Sequence, residues 1–151
     1  MRVVKTRSRS GVPAPSSDEA HNRMVANRSR DTRPERELRS ELHRLGLRFR
    51  VHRRVLPEVR RQVDVAFGPT RVAVFVDGCF WHGCPEHGTQ AKANASFWRE
   101  KIETNQSRDA NTDERLRAAG WLVVRIWEHE DAKLAARRVA RVVRLRTTRS
   151  R

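Results

Sequence analysis

No stretch of this chain approaches the roughly 20 apolar residues that a membrane-crossing helix needs. The opening MRVVKTRSRSG lacks the apolar middle of a secretory signal. A spanning or exported protein is therefore not expected, and the sequence reads as cytoplasmic. Cysteine is scarce. Cys79 and Cys84 lie in one short segment, where a disulfide would close only a small loop and stabilise little, so metal binding or burial as free thiols is expected. Acidic residues are outnumbered, 18 against 33 Lys and Arg, for a formal net charge of +15. Such a balance favours a polyanionic partner, because Lys and Arg release the counterions condensed on phosphates. Because 29 of the basic residues are Arg, a bias that a GC-rich genome also produces, charge supports nucleic acid without identifying it. No internal repeat is visible.

At 151 residues the chain fits one domain with a buried core. Residues 1–30, rich in Ser, Pro and Arg without a sustained apolar period, are expected to form a basic, largely disordered arm with room for a short helix at 19–26. Residues 31–131 carry the regular pattern. Thr32 suits a helix cap with Pro34 in the first turn, Leu38, Leu42 and Leu45 recur at helical spacing, and Gly46 ends the run. LRFRV alternates apolar and basic residues, VDVAF and RVAVFV follow across the turn GPT, and WLVVRIW comes after Gly120. RVAVFV and WLVVRIW are apolar on both faces, the pattern of central strands with covering layers. Residues 94–119 read as helix, with a break near 106–111. Residues 132–151 hold eight basic and no acidic residues, and Leu134, Val139, Val142 and Val143 give them a partial helical face, so a basic terminal helix fraying into RTTRSR is expected. The expected class is α/β, a mixed sheet flanked by helices.

One segment, VDGCFWHGCPEHG at 76–88, concentrates chemistry. Before it, Asp64 sits inside the apolar run VDVAF, where an ionised carboxylate is costly unless a divalent cation or an arginine compensates. Asp77 ends the next strand, and two strands joined by a short turn bring such carboxylates to one sheet edge. His82 is a candidate general base, against the alternative of a structural loop histidine. Cys84 and His87 are spaced C-x-x-H, which suits two ligands of one small cation; His129 in WEHE and His52 in RVHRR are the candidates to complete a tetrahedral zinc site. Phe80, Trp81 and Trp98 either fill core or stack on bases.

The strings VFVDGCFWHGC, FWREKIETNQSRD and AAGWLVVRIWEHE, with RPERELRSELHRLGLRFRVHR before them, resemble the very-short-patch repair endonuclease family over roughly residues 22–131. The resemblance implies a restriction-endonuclease-like fold that nicks double-stranded DNA beside a thymine mispaired with guanine, with catalytic magnesium and a structural zinc. Matched by position, it implies Asp64 and the Val76 carbonyl as magnesium ligands and His82 as the catalytic histidine. It also implies Glu35 as an acidic active-site residue, Asp109 and Asn105 as the supporting polar cluster, and Phe80, Trp81 and Trp98 as the aromatics inserted at the mismatch. The chain departs from the family pattern in three places. Val76–Asp77 stands where Thr or Val then His is usual, which makes Asp77 a candidate metal ligand. LPEVRRQVD replaces a shorter LPGRPD, and the zinc segment exchanges Cys and His. A monomer, nucleoid-associated when on DNA, is expected. Three other readings stay open: a restriction-type nicking enzyme with a different target, a zinc-stabilised DNA-binding module without catalysis, and a basic structural protein.

Overall fold

Thr32 starts the first helix as its chemistry predicts: its Oγ1 accepts from the Glu35 N–H at 3.4 Å, and Pro34 occupies the first turn of α1, Arg33–Arg44. The computed structural model describes residues 30–79, 81–87 and 94–149; the N-terminal arm with its expected helix, and Phe80, lie outside them. Leu38 and Leu42 form the buried stripe of α1, and Gly46, at φ +75°, turns the chain where an L side chain would be strained.

Four strands follow: β1 (Arg50–Arg53), β2 (Val63–Phe67), β3 (Val72–Asp77) and β4 (Leu122–Trp127). They lie in sequence order, with β1–β2 and β2–β3 antiparallel and β3–β4 parallel, a mixed sheet as expected. Two expectations need correction. The strand foreseen in LRFRV begins only at Arg50, because Leu47 and Phe49 pack against the core instead of pairing, Phe49 stacking on His43 at 4.5 Å. β4, foreseen as central, is an edge strand among the described residues. Its two apolar faces are explained by covering helices, not by strands on both sides.

On one face, Leu38 and Leu42 of α1 and Ala135, Ala136, Val139 and Val143 of α3 (Ala132–Arg149) close over Val65, Phe67, Val72, Val74, Val124 and Ile126. The basic terminal helix is thus part of the main core and stays helical to Arg149, past the point where fraying was expected. On the other face lies α2, Ala95–Ala118, a single helix without the foreseen break. Its central run of Asn, Gln, Ser, Asp and Thr reads as helix-poor, but Asn105, Gln106, Asp109 and Asp113 are engaged by the rest of the molecule. Only Asp109, Thr112 and Leu116 of α2 are buried. One leucine contributes roughly 2 kcal/mol on burial, so the polar contacts of α2 decide where it sits. No helix among the described residues is long and apolar enough to cross a membrane.

Candidate active site

The β2–β3 ladder runs from Phe67↔Val72 to Val65↔Val74 and stops there. Asp64, the next residue, takes over the pairing with its side chain: Oδ2 accepts from the Val76 N–H at 2.8 Å. Among the described residues no lysine or arginine pairs with this carboxylate, and Oδ1 has no protein donor. Burial pushes its pKa up to about 6, opposed by the Val76 hydrogen bond and reinforced by the charges of Glu35 and Asp77. Glu35, 4% exposed, reaches this neighbourhood from α1 and accepts from the Asp31 N–H at 3.0 Å. Asp64 and Glu35 share this neighbourhood with His52, whose charge opposes the rise in the Asp64 pKa and whose Nε2 lies 4.0 Å from Glu35; Asp64 could hold a hard, oxygen-seeking ion such as magnesium.

His82 lies in the turn after β3. Its Nδ1 hydrogen-bonds Oδ2 of Asp109 on α2, and because an ionised carboxylate only accepts, Nδ1 carries a proton, so that in the neutral ring the lone pair is on Nε2. Burial pushes Asp109 upward, but the His82 hydrogen bond and the charges of His82, Arg125 and Arg61 outweigh it and hold the acid below the usual carboxylate range. Arg61 Nη1 stands 2.7 Å from Asp109 Oδ1. The turn itself is fastened to α2: Asn105 Nδ2 donates to the Trp81 carbonyl at 3.0 Å, and Gln106 Nε2 to the His82 carbonyl at 3.1 Å. Gly83 permits this approach. At φ +64°, a Cβ there would lie 2.7 Å from Gln106 Nε2 and 3.0 Å from Ile102 Cγ2. Gly83→Ala is expected to cost about 1–2 kcal/mol through the left-handed backbone alone; chemical denaturation reads this, and equal stability would show that the turn is not held in this form.

Cys79, Cys84, His87 and His129 each bring one donor atom to within 4.8 Å of one another. His129 Nδ1 lies 3.1 Å from Cys79 Sγ and 3.7 Å from Cys84 Sγ. Zinc bonds of 2.0–2.3 Å in a tetrahedron imply donor separations of about 3.3–3.8 Å; 3.7 Å lies in that range and 3.1 Å just below it, so with small adjustment the S2N2 set could hold that ion. Burial, with Cys84 next in weight, pushes the Cys79 thiol up to about 12. Trp81 and Trp98 meet edge-on at 5.5 Å between ring centres, and Phe97 meets Trp98 at 5.2 Å, so the described aromatics of the turn and of α2 share one cluster.

The family described as DNA mismatch endonuclease Vsr matches residues 16–87. The type II nicking enzyme V.NaeI of Lentzea aerocolonigenes is 44% identical over 121 residues, 79% of this chain and 73% of its own length. The chain belongs to the Vsr endonuclease family. Within it, the type II nicking enzyme V.XorIIP of Xanthomonas oryzae pv. oryzae is 42% identical over 113 residues, 72% of this chain and 79% of that relative. The DNA mismatch endonuclease Vsr of Escherichia coli strain K12 is 39% identical over 108 residues, 70% of this chain and 66% of that relative.

Against the family expectations, the fold assembles Asp109, Asn105 and His82 in one place and Glu35 with Asp64 in another, joined through Asp77, whose charge Asp64 feels and whose Oδ1 stands 3.8 Å from His82 Nδ1. The Val76 peptide lies beside Asp64, donating its N–H. Both oxygens of Asp77 accept from Arg125 Nη1, at 2.9 and 3.0 Å, and Asp77, His82 and Asp109 each bring one ligand atom to within 4.8 Å of one another, so this group could also hold a cation. His52 does not join Cys84, His87 and His129. It lies on β1 at φ +49°, between Val51 and Arg53, which pair with Val65 and Val63, so it stands opposite Asp64, and its Nε2 is 3.2 Å from Asp31 and 4.0 Å from Glu35. Cys79 takes the fourth place in the cluster instead, and its C-x4-C spacing with Cys84 was the available signal. Arg61, Asp113 and Arg125 carry no motif. The one hint was the spacing of Asn105, Asp109 and Asp113, four residues apart and hence on one helix face.

Proposed function

We propose that this Vsr-family protein is a magnesium-dependent DNA endonuclease that nicks one strand beside the thymine of a T:G mispair, with a structural zinc held by Cys79, Cys84, His87 and His129. The observation that carries this reading is a largely buried carboxylate that no lysine or arginine among the described residues pairs with, Asp64, and, in the turn after β3, a histidine whose ring is fixed by Asp109. A divalent cation bound at Asp64 would supply charge neutralisation at a phosphodiester and a more acidic water. His82 Nε2 takes the proton of the attacking water, the water oxygen bonds to phosphorus, and the bond to the leaving sugar oxygen breaks. Asp109 stabilises the imidazolium that results and keeps the ring from turning.

Arg36, Arg50 and Arg53 line an open groove with Asp31 and its partner Arg39, and are suited to gripping the backbone phosphates. Trp81 and Trp98, with Phe80 beside them in sequence, supply flat surfaces for a step that opens easily because a mispair stacks poorly. Mismatch choice then comes from deformability.

The test is single-turnover nicking of end-labelled duplexes that differ only in T:G or T:A at one position, with magnesium present. Fast nicking of T:G alone is expected; equal rates on both would end the mismatch reading while leaving a nicking enzyme. His82→Ala is expected to slow the T:G reaction by about 10³-fold, within the usual contribution of a positioned base. Wild-type rates in that variant would remove His82 from the chemistry.

A further inference from the structure

Two carboxylates face the same nitrogen of His82. Asp109 hydrogen-bonds Nδ1, and Asp77 Oδ1 stands 3.8 Å from the same atom. A single N–H has one best direction, so the set of the ring depends on which acid is otherwise engaged. The parallel register of β3 and β4 pairs Phe75 with Arg125, whose guanidinium lies 4.5 Å over the Phe75 ring, and Asp77 is the next residue on that face. Arg125 Nη1 donates to both Asp77 oxygens, Nε donates to both Asp113 oxygens at 3.0 and 3.1 Å, and Nη2 donates to Asp113 Oδ1 at 2.7 Å and the Asp109 carbonyl at 3.5 Å.

We propose that Arg125 is a positioning residue of the active site: by engaging Asp77 through both oxygens it leaves Asp109 as the carboxylate partner of His82. The same guanidinium holds Asp113, one helical turn beyond Asp109, and so sets the height of α2 against the sheet. Its rigid fork of donors suits this double task, which a point-charge lysine cannot reproduce. Arg125 thus reaches Asp77 on the sheet and Asp113 on α2 at once, and α2 has little apolar anchoring of its own.

The inference rests on His82 as the base, so the experiment includes His82→Ala beside Arg125→Gln, Arg125→Lys, Asp77→Asn and the double variant Arg125→Gln/Asp77→Asn. Each is measured for single-turnover nicking of the T:G duplex and for binding to the same duplex without magnesium. Arg125→Gln is expected to lower the nicking rate by about 30-fold to 100-fold with duplex affinity within about twofold of wild type, a loss on the chemical step that general loosening would not confine there. Arg125→Lys, which keeps the buried charge and protects the fold if the glutamine variant is unstable, is expected to show the same pattern with a smaller loss, about tenfold. In the double variant the competing acid is gone, and the rate is expected to return to within about fivefold of Asp77→Asn alone. Wild-type nicking in both Arg125 variants, or a double variant no faster than Arg125→Gln, overturns the inference. Wild-type nicking in His82→Ala overturns the underlying reading instead.

Discussion

Asp64→Asn is expected to abolish nicking and, at neutral pH without added magnesium, to make the protein more stable. The two effects have one origin. The folded protein holds the Asp64 carboxyl at a pKa of about 6 against an ordinary 3.8, because burial penalises the charged form. The folded chain therefore binds this proton more tightly than the unfolded chain, so stability from this group is full below about 4 and falls as the pH rises through about 6. Above that, the shift corresponds to a cost of up to about 3 kcal/mol. Asparagine carries no charge and still offers Oδ1 to the Val76 N–H, so the cost disappears while the hydrogen bond stays. Losing the ligand for a divalent cation removes several kcal/mol of transition-state stabilisation, about 10⁴-fold in rate. Thermal denaturation from pH 4 to 8, with a nicking assay, reads both. A variant that is less stable than wild type at pH 7, or one that still nicks, would contradict the role given to Asp64.

Removing the proposed zinc is expected to have the second large effect. The two thiols are 6% and 4% exposed and lie against one histidine nitrogen. If ionised, two thiolates so placed would need a cation, which Cys79, Cys84, His87 and His129 would hold. The cluster ties the turn after β3 to the end of β4, where Glu128 also accepts from the Cys79 N–H at 2.8 Å. Structural zinc in small domains is bound with about 10–16 kcal/mol of apparent free energy, so a chelator strong enough to extract it is expected to release the turn and with it His82. Protein purified without chelator should carry one zinc per chain by native mass spectrometry. Cys79→Ser should lose it, with a marked fall in melting temperature and in nicking. His52→Gln, by contrast, should retain the zinc. Zinc lost from His52→Gln and kept in Cys79→Ser would reverse the assignment of the fourth ligand.

Much of the fold was legible because its signals are local. The cap at Thr32, the leucine stripe of α1, the apolar strands and the glycines that end elements each act within a few residues, where backbone sterics and hydrophobic period decide the outcome. Asp64 also stood out, since a charge among valines is anomalous whatever surrounds it. The unbroken α2 was misread because its middle looks helix-poor in isolation, and only contacts from outside the helix hold it: Asn105 and Gln106 on the turn, Asp109 on His82, Asp113 on Arg125.

By itself the sequence determined most of the segments that form helix and strand, the class of the fold, and the places of an anomalous acid, a candidate base and two thiols. Only the tertiary structure decided who meets whom: Asp77 with Arg125 across 48 residues, Cys79 rather than His52 beside His129, His52 opposite Asp64. The reason is register. A side chain in a strand faces one layer or the other according to a single-residue step, and its partner is chosen by how neighbouring strands are aligned, which no short stretch of sequence encodes.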